Sequence, residues 1–271
     1  IMYDDMGCIP YLPENYPSYL ESLNIKCTVF NKLKIYNGIF MNNRDHRKIT
    51  VIDGKIAYTG GLNFSDEYIN KLSRFGYWKD NAIKLEGDSV WNLTIMFLTL
   101  WNSYHKEDDN YLKFKTPTNK LIKPNGYISC YGSVPLNGIL EGEDVYLNII
   151  NKAVKYVYIT TPYLIIDTDM INALILAVKR GVDVKIIIPG IPGKKIVYEL
   201  TNSYAKNLVE NGVKVYTYTP GFIHSKIFVS DDNKATIGTI NLDYRSLYLH
   251  FENGVYLEEV NEIKDIHNDV T

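Results

Sequence analysis

Two stretches of the chain, HRKITVID from position 46 and HSKIFVSD from position 224, repeat one pattern: histidine, any residue, lysine, four residues, aspartate. A glycine and, three residues later, an asparagine follow each of them. These are Gly60 with Asn63 and Gly238 with Asn241, so histidine and asparagine stand 17 positions apart in both copies. A five-position pattern of this kind arises by chance at on the order of one in a few million starting points. Twice in one chain marks an internal duplication. The text upstream repeats too: LESLNIKCTVF and LVENGVKVYTY each run from a helix end into a strand, and the first copy carries a longer insert, Asn31 to Asp45, before its motif.

Hydrophobic periodicity places the motifs in the chain. The first third reads as a helix over 16–23, a strand over 25–30 and a hairpin in ITVIDGKIAYTGG, where Asp53-Gly54 suits a tight type I′ turn. His46 and Lys48 are then i and i+2 on one face of the incoming strand. Residues 88–105 predict a helix with Val90, Leu93, Phe97, Leu100, Trp101 and Tyr104 inward. The polar, Pro-bearing text from 106 to 126 reads as a linker and divides the chain into a first half over 1–110, a linker over 111–126 and a second half over 127–271. Beyond it, helices near 143–155, 168–180 and 195–211 alternate with strands at 156–160, 182–188 and 213–218, with Val197, Leu200, Tyr204 and Leu208 inward on the last helix. Alternation of this kind predicts parallel strands in an α/β layer arrangement.

Composition narrows the function classes. With 29 Lys plus Arg against 31 Asp plus Glu, the net charge is −2, and there is no global basic footprint to recruit nucleic acid. Cys8, Cys27 and Cys130 are far apart and read as buried reduced thiols, with neither a disulfide framework nor a zinc site. No run approaches the ~18 apolar residues that cross a bilayer. The opening IMYDDMGCI reads like the middle of a strand, which leads us to expect a soluble portion of something longer.

Two copies of His, Lys and Asn suit displacement at a phosphodiester. One histidine attacks phosphorus and the other protonates the leaving alcohol; Lys48 and Lys226 neutralise the nonbridging oxygens, and the Asn63 and Asn241 amides donate to them. The glycines beside the asparagines are read as allowing close approach of backbone to phosphate. The motif aspartates Asp53 and Asp231 belong to the candidate set, but seven residues of extended chain span ~23 Å, so they are read as turn residues bonding local backbone. Two lysines depress both histidine pKa values, so carboxylates are needed nearby, and Asp80 and Glu252 are the candidates. No cofactor or divalent metal is called for. Of the other histidines, His105, His250 and His267 are read as structural. PYLII at 162–166 and PGFI at 220–223 are read as core strands and loops before an acyl entrance.

The doubled motif with its trailing Gly and Asn resembles the phospholipase D superfamily. The surrounding text, NNRDHRKITVIDGKIAYTGGLNFSDEY, WKD at 78–80, TPYLI, RGVDVKIIIPG, GFIHSK and NLDYRSLYLHFE, is similar to bacterial cardiolipin synthases. The resemblance implies two similar α/β domains related by pseudo-two-fold symmetry, with the active site at their junction and a phosphohistidine intermediate. It implies His46 as nucleophile, His224 as general acid and then base, and Glu252 as the histidine-supporting carboxylate downstream of the second motif, with Asp80 in that part for the first. It also implies phosphatidylglycerol as substrate and a cell-membrane location for a bacterial parent. Two departures stand out: His250 occupies a place where the superfamily usually has Asn, and Gly61 occupies one where Ser is frequent and the second copy has Thr239. Gly61 and Thr239 are included among the phosphate-binding positions, with the glycine forfeiting one hydroxyl donor. Three readings stay open: phosphatidyl transfer between lipids, hydrolysis of a lipid or nucleic-acid diester, and a relative that only binds phospholipid.

Overall fold

The computed structural model describes residues 1–33, 40–105, 110–117 and 125–271. Its largest sheet has seven strands in the order Lys214–Tyr218, Asp183–Pro189, Tyr156–Thr160, Ile227–Ser230, Lys234–Gly238, Glu252–Glu258 and Tyr127–Ser133. The first three are parallel, as the helix-strand alternation requires, and the next four join antiparallel, so the sheet is mixed rather than parallel throughout. A three-stranded antiparallel sheet of Thr50–Ile52, Ile56–Gly60 and Ala82–Glu86 repeats the Ile227–Ser230, Lys234–Gly238 and Glu252–Glu258 part of it. Met2–Asp4 and Thr28–Phe30 form a parallel pair, as Asp183–Pro189 and Lys214–Tyr218 do.

The duplication is visible down to single bonds. In each hairpin the fourth turn residue donates to the first, Lys55 N–H to Ile52 O and Asn233 N–H to Ser230 O. Both central residues have positive φ, Asp53 with Gly54 and Asp231 with Asp232. Asp and Asn reach that region more readily than other non-glycine residues. Gly60 and Gly238 lie against the next strand so closely that a Cβ would sit 2.4 Å from the carbonyl oxygen of Asn81 or Asn253. These glycines therefore admit a neighbouring strand, not a phosphate.

The two halves share one of the two hydrophobic cores. Ala57, Leu85, Val90 and Leu93 of the first half pack with Ile227, Val229, Ala235, Ile237, Val255 and Leu257 of the second, and the C-terminal helix Ile263–Val270 closes the cluster with Ile263 and Ile266. The other core, built around Tyr146, Ile159, Leu174, Ile186 and Leu242, belongs to the second half. Leu164, Ile166, Phe222 and Ile223 are buried, so most of the apolar side chains of PYLII and PGFI pack inward, while Pro220 is exposed.

Helix faces differ from expectation in two places. On Ser89–Tyr104 the buried set is Val90, Leu93, Thr94, Leu98 and Trp101, with Tyr104 exposed. On Lys195–Glu210 it is Thr201, Ala205 and Leu208, while Leu200 is exposed. Thr201 wins the inward place because its hydroxyl accepts the Leu164 N–H. Cys130 is buried, whereas Cys8 and Cys27 are only half-buried. Of the expected linker, residues 106–109 and 118–124 lie outside the described residues, and Tyr111–Phe114 forms a short 3-10 turn.

The motif aspartates separate here. Asp231 does not bond its own turn: its carboxylate accepts the N–H groups of Val154, Lys155 and Tyr156 at 2.7, 2.8 and 2.9 Å, fixing the entry to the Tyr156–Thr160 strand. Asp53 is an exposed turn residue whose carbonyl accepts the Thr116 hydroxyl. Asp231→Asn, which keeps the tolerance for positive φ, should cost about 1–3 kcal/mol of stability, and Asp53→Asn within about 0.5 kcal/mol. Urea melts of the two variants test the difference.

Candidate active site

Each motif histidine sits just ahead of its strand, and both are held by the opposite copy. His46 N–H donates to the Phe251 carbonyl at 2.9 Å, and His46 Nδ1 lies 2.9 Å from both oxygens of Glu252, the next residue. In the same way His224 N–H donates to the Lys79 carbonyl at 2.7 Å, and its Nδ1 lies 2.7 Å from Oδ2 of Asp80, again the next residue. The backbone supports this: Gly221–Ile223 pairs in parallel with Tyr77–Lys79, and Asp45 bridges Phe251 in parallel. An ionised carboxylate only accepts, so Nδ1 of each imidazole is the donor and its lone pair is presented at Nε2.

Behind Glu252, which is fully buried, stand two hydroxyls: Ser246 donates to Oε1 at 2.7 Å and Thr239 donates to Oε2. Asp80 is held differently, by the Asn81 N–H at 2.9 Å and the Trp78 indole N–H at 3.3 Å. Trp78 stacks on Phe222 and, with Tyr68, lies against the His224 ring. The lysines complete the pattern. Lys48 Nζ donates to the His46 carbonyl at 2.6 Å, and Lys226 Nζ donates to the His224 carbonyl while lying 2.9 and 3.1 Å from the ring nitrogens.

Electrostatics crosses the junction as well. Burial pushes the Lys226 ammonium down to about 7, opposed first by Asp80 of the other copy. Burial also lowers Lys48, opposed first by Glu252. His224 is pushed down to about 3 by burial and then by Lys226, against the pull of Asp80, and Lys48 adds to the depression. Burial lowers His46 too, with Glu252 opposing and both lysines reinforcing. For Asp80 and Glu252 burial acts upward but is outweighed. The His224 hydrogen bond and Lys226 hold Asp80 below the usual carboxylate range, and the charge of His46 holds Glu252 well below it.

A crossed pair of histidine-carboxylate-lysine sets is what a doubled motif builds when its copies face each other. The family model for the cardiolipin synthase, PLD-like domain matches residues 146–270. Cardiolipin synthase 1 of Staphylococcus aureus strain COL is 39% identical over 269 residues, which are 98% of this chain and 54% of that protein. The chain belongs to the phospholipase D superfamily. Cardiolipin synthase of Alkalihalophilus pseudofirmus is 35% identical over 99% of this chain and 53% of its own length, and an uncharacterized protein of Streptococcus mutans is 48% identical over 99% and 58%. The chain thus spans a little over half the length of these relatives. The solved phosphatidylserine synthase of Haemophilus influenzae has the same fold, with a TM-score of 0.61 at 16% identity over 86% of this chain and 62% of that one.

Asp53 and Asp231 are in the hairpin turns, the place read for them from the sequence, and only the partners of Asp231 differ. Several other residues named for this superfamily site lie elsewhere than expected. Thr239 is fully buried, with its hydroxyl on Glu252, so it braces a carboxylate instead of facing a phosphate. At Gly61 a Cβ would lie 2.1 Å from Asp80 Oδ1, so the missing hydroxyl reflects a place already filled by the carboxylate. Asp80 and Glu252 do support histidines, but each serves the one in the other copy. Asn63 is half-buried; Asn241 is buried, with its Oδ1 unpartnered. Ser246, Trp78 and Tyr68 were not anticipated. A signal for Trp78 was present, since it stands two residues before Asp80 in a text already singled out. Ser246, six residues before Glu252, had none.

Because its folded-state pKa is lowered, His224 binds its proton in the unfolded chain first, and stability is lost as pH falls from about 6.5 towards 3. By pH 5 the loss from this group is about 2 kcal/mol. NMR of the ring should show no His224 titration between pH 5 and 8. Asp80→Asn should lower the His224 pKa further and leave His46 nearly unmoved; a larger response at His46 would contradict the crossed pairing.

Proposed function

We propose that this chain carries the phosphatidyl-transfer centre of a cardiolipin-forming enzyme, and that its substrate is phosphatidylglycerol. The observation that carries the reading is the crossed clamp: two imidazoles, each with Nδ1 on a carboxylate and Nε2 presented, each beside a lysine. In this scheme His46 Nε2 attacks phosphorus, the bond from phosphorus to the glycerol oxygen breaks, and His224 delivers its proton to that oxygen. Glycerol leaves. His224, now neutral, takes the proton of the free glycerol hydroxyl of a second phosphatidylglycerol, whose oxygen attacks phosphorus as the P–N bond breaks, giving cardiolipin and restoring His46.

The acid step needs a protonated His224, and at neutral pH the ligand-free imidazole is unprotonated. A phosphodiester anion lodged beside Lys48 and Lys226 cancels the charge that depresses His224 and so raises its pKa as it binds. Substrate entry thereby arms the acid. Asn241 fits a role on the phosphoryl oxygens, because rotating its amide by 180° brings Nδ2 to the unpartnered Oδ1 position. Asn63, Lys48 and Lys226 are assigned the same role.

The purified chain, incubated with phosphatidylglycerol vesicles, should form cardiolipin and release glycerol, and His46→Ala and His224→Ala should each lower turnover by at least 10³-fold. Phosphatidic acid without cardiolipin would replace transfer by hydrolysis. Robust turnover by either variant would end the paired-histidine assignment.

The parent is proposed to work at the cell membrane. Among the described residues no helix is long and apolar enough to cross one. The surface nearest the first asparagine suits a lipid face: Leu62, Phe64, Ile69 and Leu72 are exposed, Phe64 to 99%. Acidic groups there are matched by Lys71 on Asp66 and Arg74 on Glu67, so an anionic bilayer meets no net repulsion. Phe64→Ser should weaken vesicle sedimentation of the chain several-fold while leaving cleavage of a water-soluble phosphodiester unchanged.

A further inference from the structure

His250 has no part in the transfer scheme, yet it lies beside the attacking histidine. Its ring centroid is 5.6 Å from that of His46, and its Nδ1 is 3.4 Å from Glu252 Oε1. Both His250 ring nitrogens are shielded from solvent; Nδ1 faces the Glu252 carboxylate without good hydrogen-bond geometry, and Nε2 makes no hydrogen bond. A histidine left so is costly, and it is ready to accept any ligand that brings a positive centre.

The spacing fits a metal ion. One ligand atom each from His46, His250 and Glu252 lies within 4.8 Å of the others. A tetrahedral ion with bonds of ~2.0–2.1 Å holds its ligands ~3.3–3.4 Å apart. Glu252 Oε1 lies 2.9 Å from His46 Nδ1 and 3.4 Å from His250 Nδ1, and the two imidazole donors are within 4.8 Å of each other, so drawing the two rings together is the movement that brings all three to that separation. The two-residue spacing of His250 and Glu252 puts both donors on one side of the chain. Two imidazoles and a carboxylate are a zinc-class set, with a fourth position open to water. Lys48 is the charge that opposes entry, and its ammonium is turned onto the His46 carbonyl.

We propose that His46, His250 and Glu252 form a zinc-class metal site whose occupation switches His46 off. The metal takes the place of the proton between His46 Nδ1 and Glu252. That proton moves to Nε2 through solvent, so the imidazole stays neutral and no net proton is released. Nε2 then bears hydrogen, and its lone pair is no longer available to phosphorus. Binding rests on this geometry alone, whereas the loss of turnover rests on the function proposed above.

Titration of the 271-residue chain with Co2+ should develop visible d–d absorption that saturates at one equivalent and is displaced by Zn2+. His250→Asn should weaken that binding at least tenfold, and His267→Asn, a distant control, should leave it unchanged. In ring NMR spectra of the unsubstituted chain, Zn2+ should move the His46 and His250 signals together, a reading that needs no variant to fold. In turnover assays micromolar Zn2+ should inhibit the unsubstituted chain, spare His250→Asn and be reversed by EDTA. Absence of Co2+ absorption, equal affinity in His250→Asn, or ring shifts confined to other histidines would overturn the site. Full turnover with the site saturated would overturn the switch. Failure of metal-free turnover would instead count against the transfer reading, because the absorption and NMR measurements need no activity.

Discussion

The structure depends on a hydrogen-bonded crossing between its two copies. Each histidine is fixed at two points by consecutive residues of the opposite half, a carbonyl to its N–H and a carboxylate to its Nδ1. Two contacts from one rigid stretch of strand determine both where the ring sits and which nitrogen bears the proton. The lysines follow the same rule, since the leading counter-charge of Lys226 is Asp80 and that of Lys48 is Glu252. In each half the leading counter-charge of the buried cation comes from the other half, so the site is assembled at the junction.

That arrangement is costly, and the core offsets it. Lys226 is 1% exposed and Glu252 is wholly buried, and taking such charges out of water disfavours folding by several kcal/mol each unless they are paired and hydrogen-bonded. The shared hydrophobic cluster on the two equivalent three-stranded units supplies the apolar burial that presses the halves together. Gly60 and Gly238 matter at this level: by letting their strands meet the Asn81 and Asn253 carbonyls, they bring the carboxylate-bearing strand to its register. The motif glycine thus positions chemistry without touching it.

Local pattern made much of this legible. The hairpins, the Tyr156–Thr160 strand and the helix-strand alternation of the second half follow from periodicity and turn chemistry, and the duplication announced two equivalent motifs. What the sequence could not disclose was partner choice across the junction. Asp80 lies 34 positions after His46 and 144 before His224, and nothing in that spacing says that it serves the more distant one. Asp231 was misread for the same reason: its three N–H partners lie over 70 residues away, whereas a turn aspartate is ordinarily read against its neighbours. Thr239 was misread because its hydroxyl faces inward, and alternation along a strand does not say which buried group a side chain meets.

The copies have diverged in ways that suit the two roles proposed for their histidines. Glu252 is longer than Asp80 and is braced by two hydroxyls, while Asp80 is shorter, with Gly61 leaving it room and Trp78 supplying a donor. The histidines differ to match. His46 has a quarter of its side chain exposed and meets a carboxylate held from behind, the setting of a ring that must be reached and must not turn. His224 is enclosed by Trp78, Phe222 and Tyr68, where its proton affinity responds strongly to any charge that enters. A base that attacks gains from rigidity and access; an acid that must be armed by an arriving anion gains from a dry, low-dielectric wall. One duplicated motif, altered at position 61 and its counterpart 239 and at the length of one carboxylate, thereby gives its two histidines unlike surroundings.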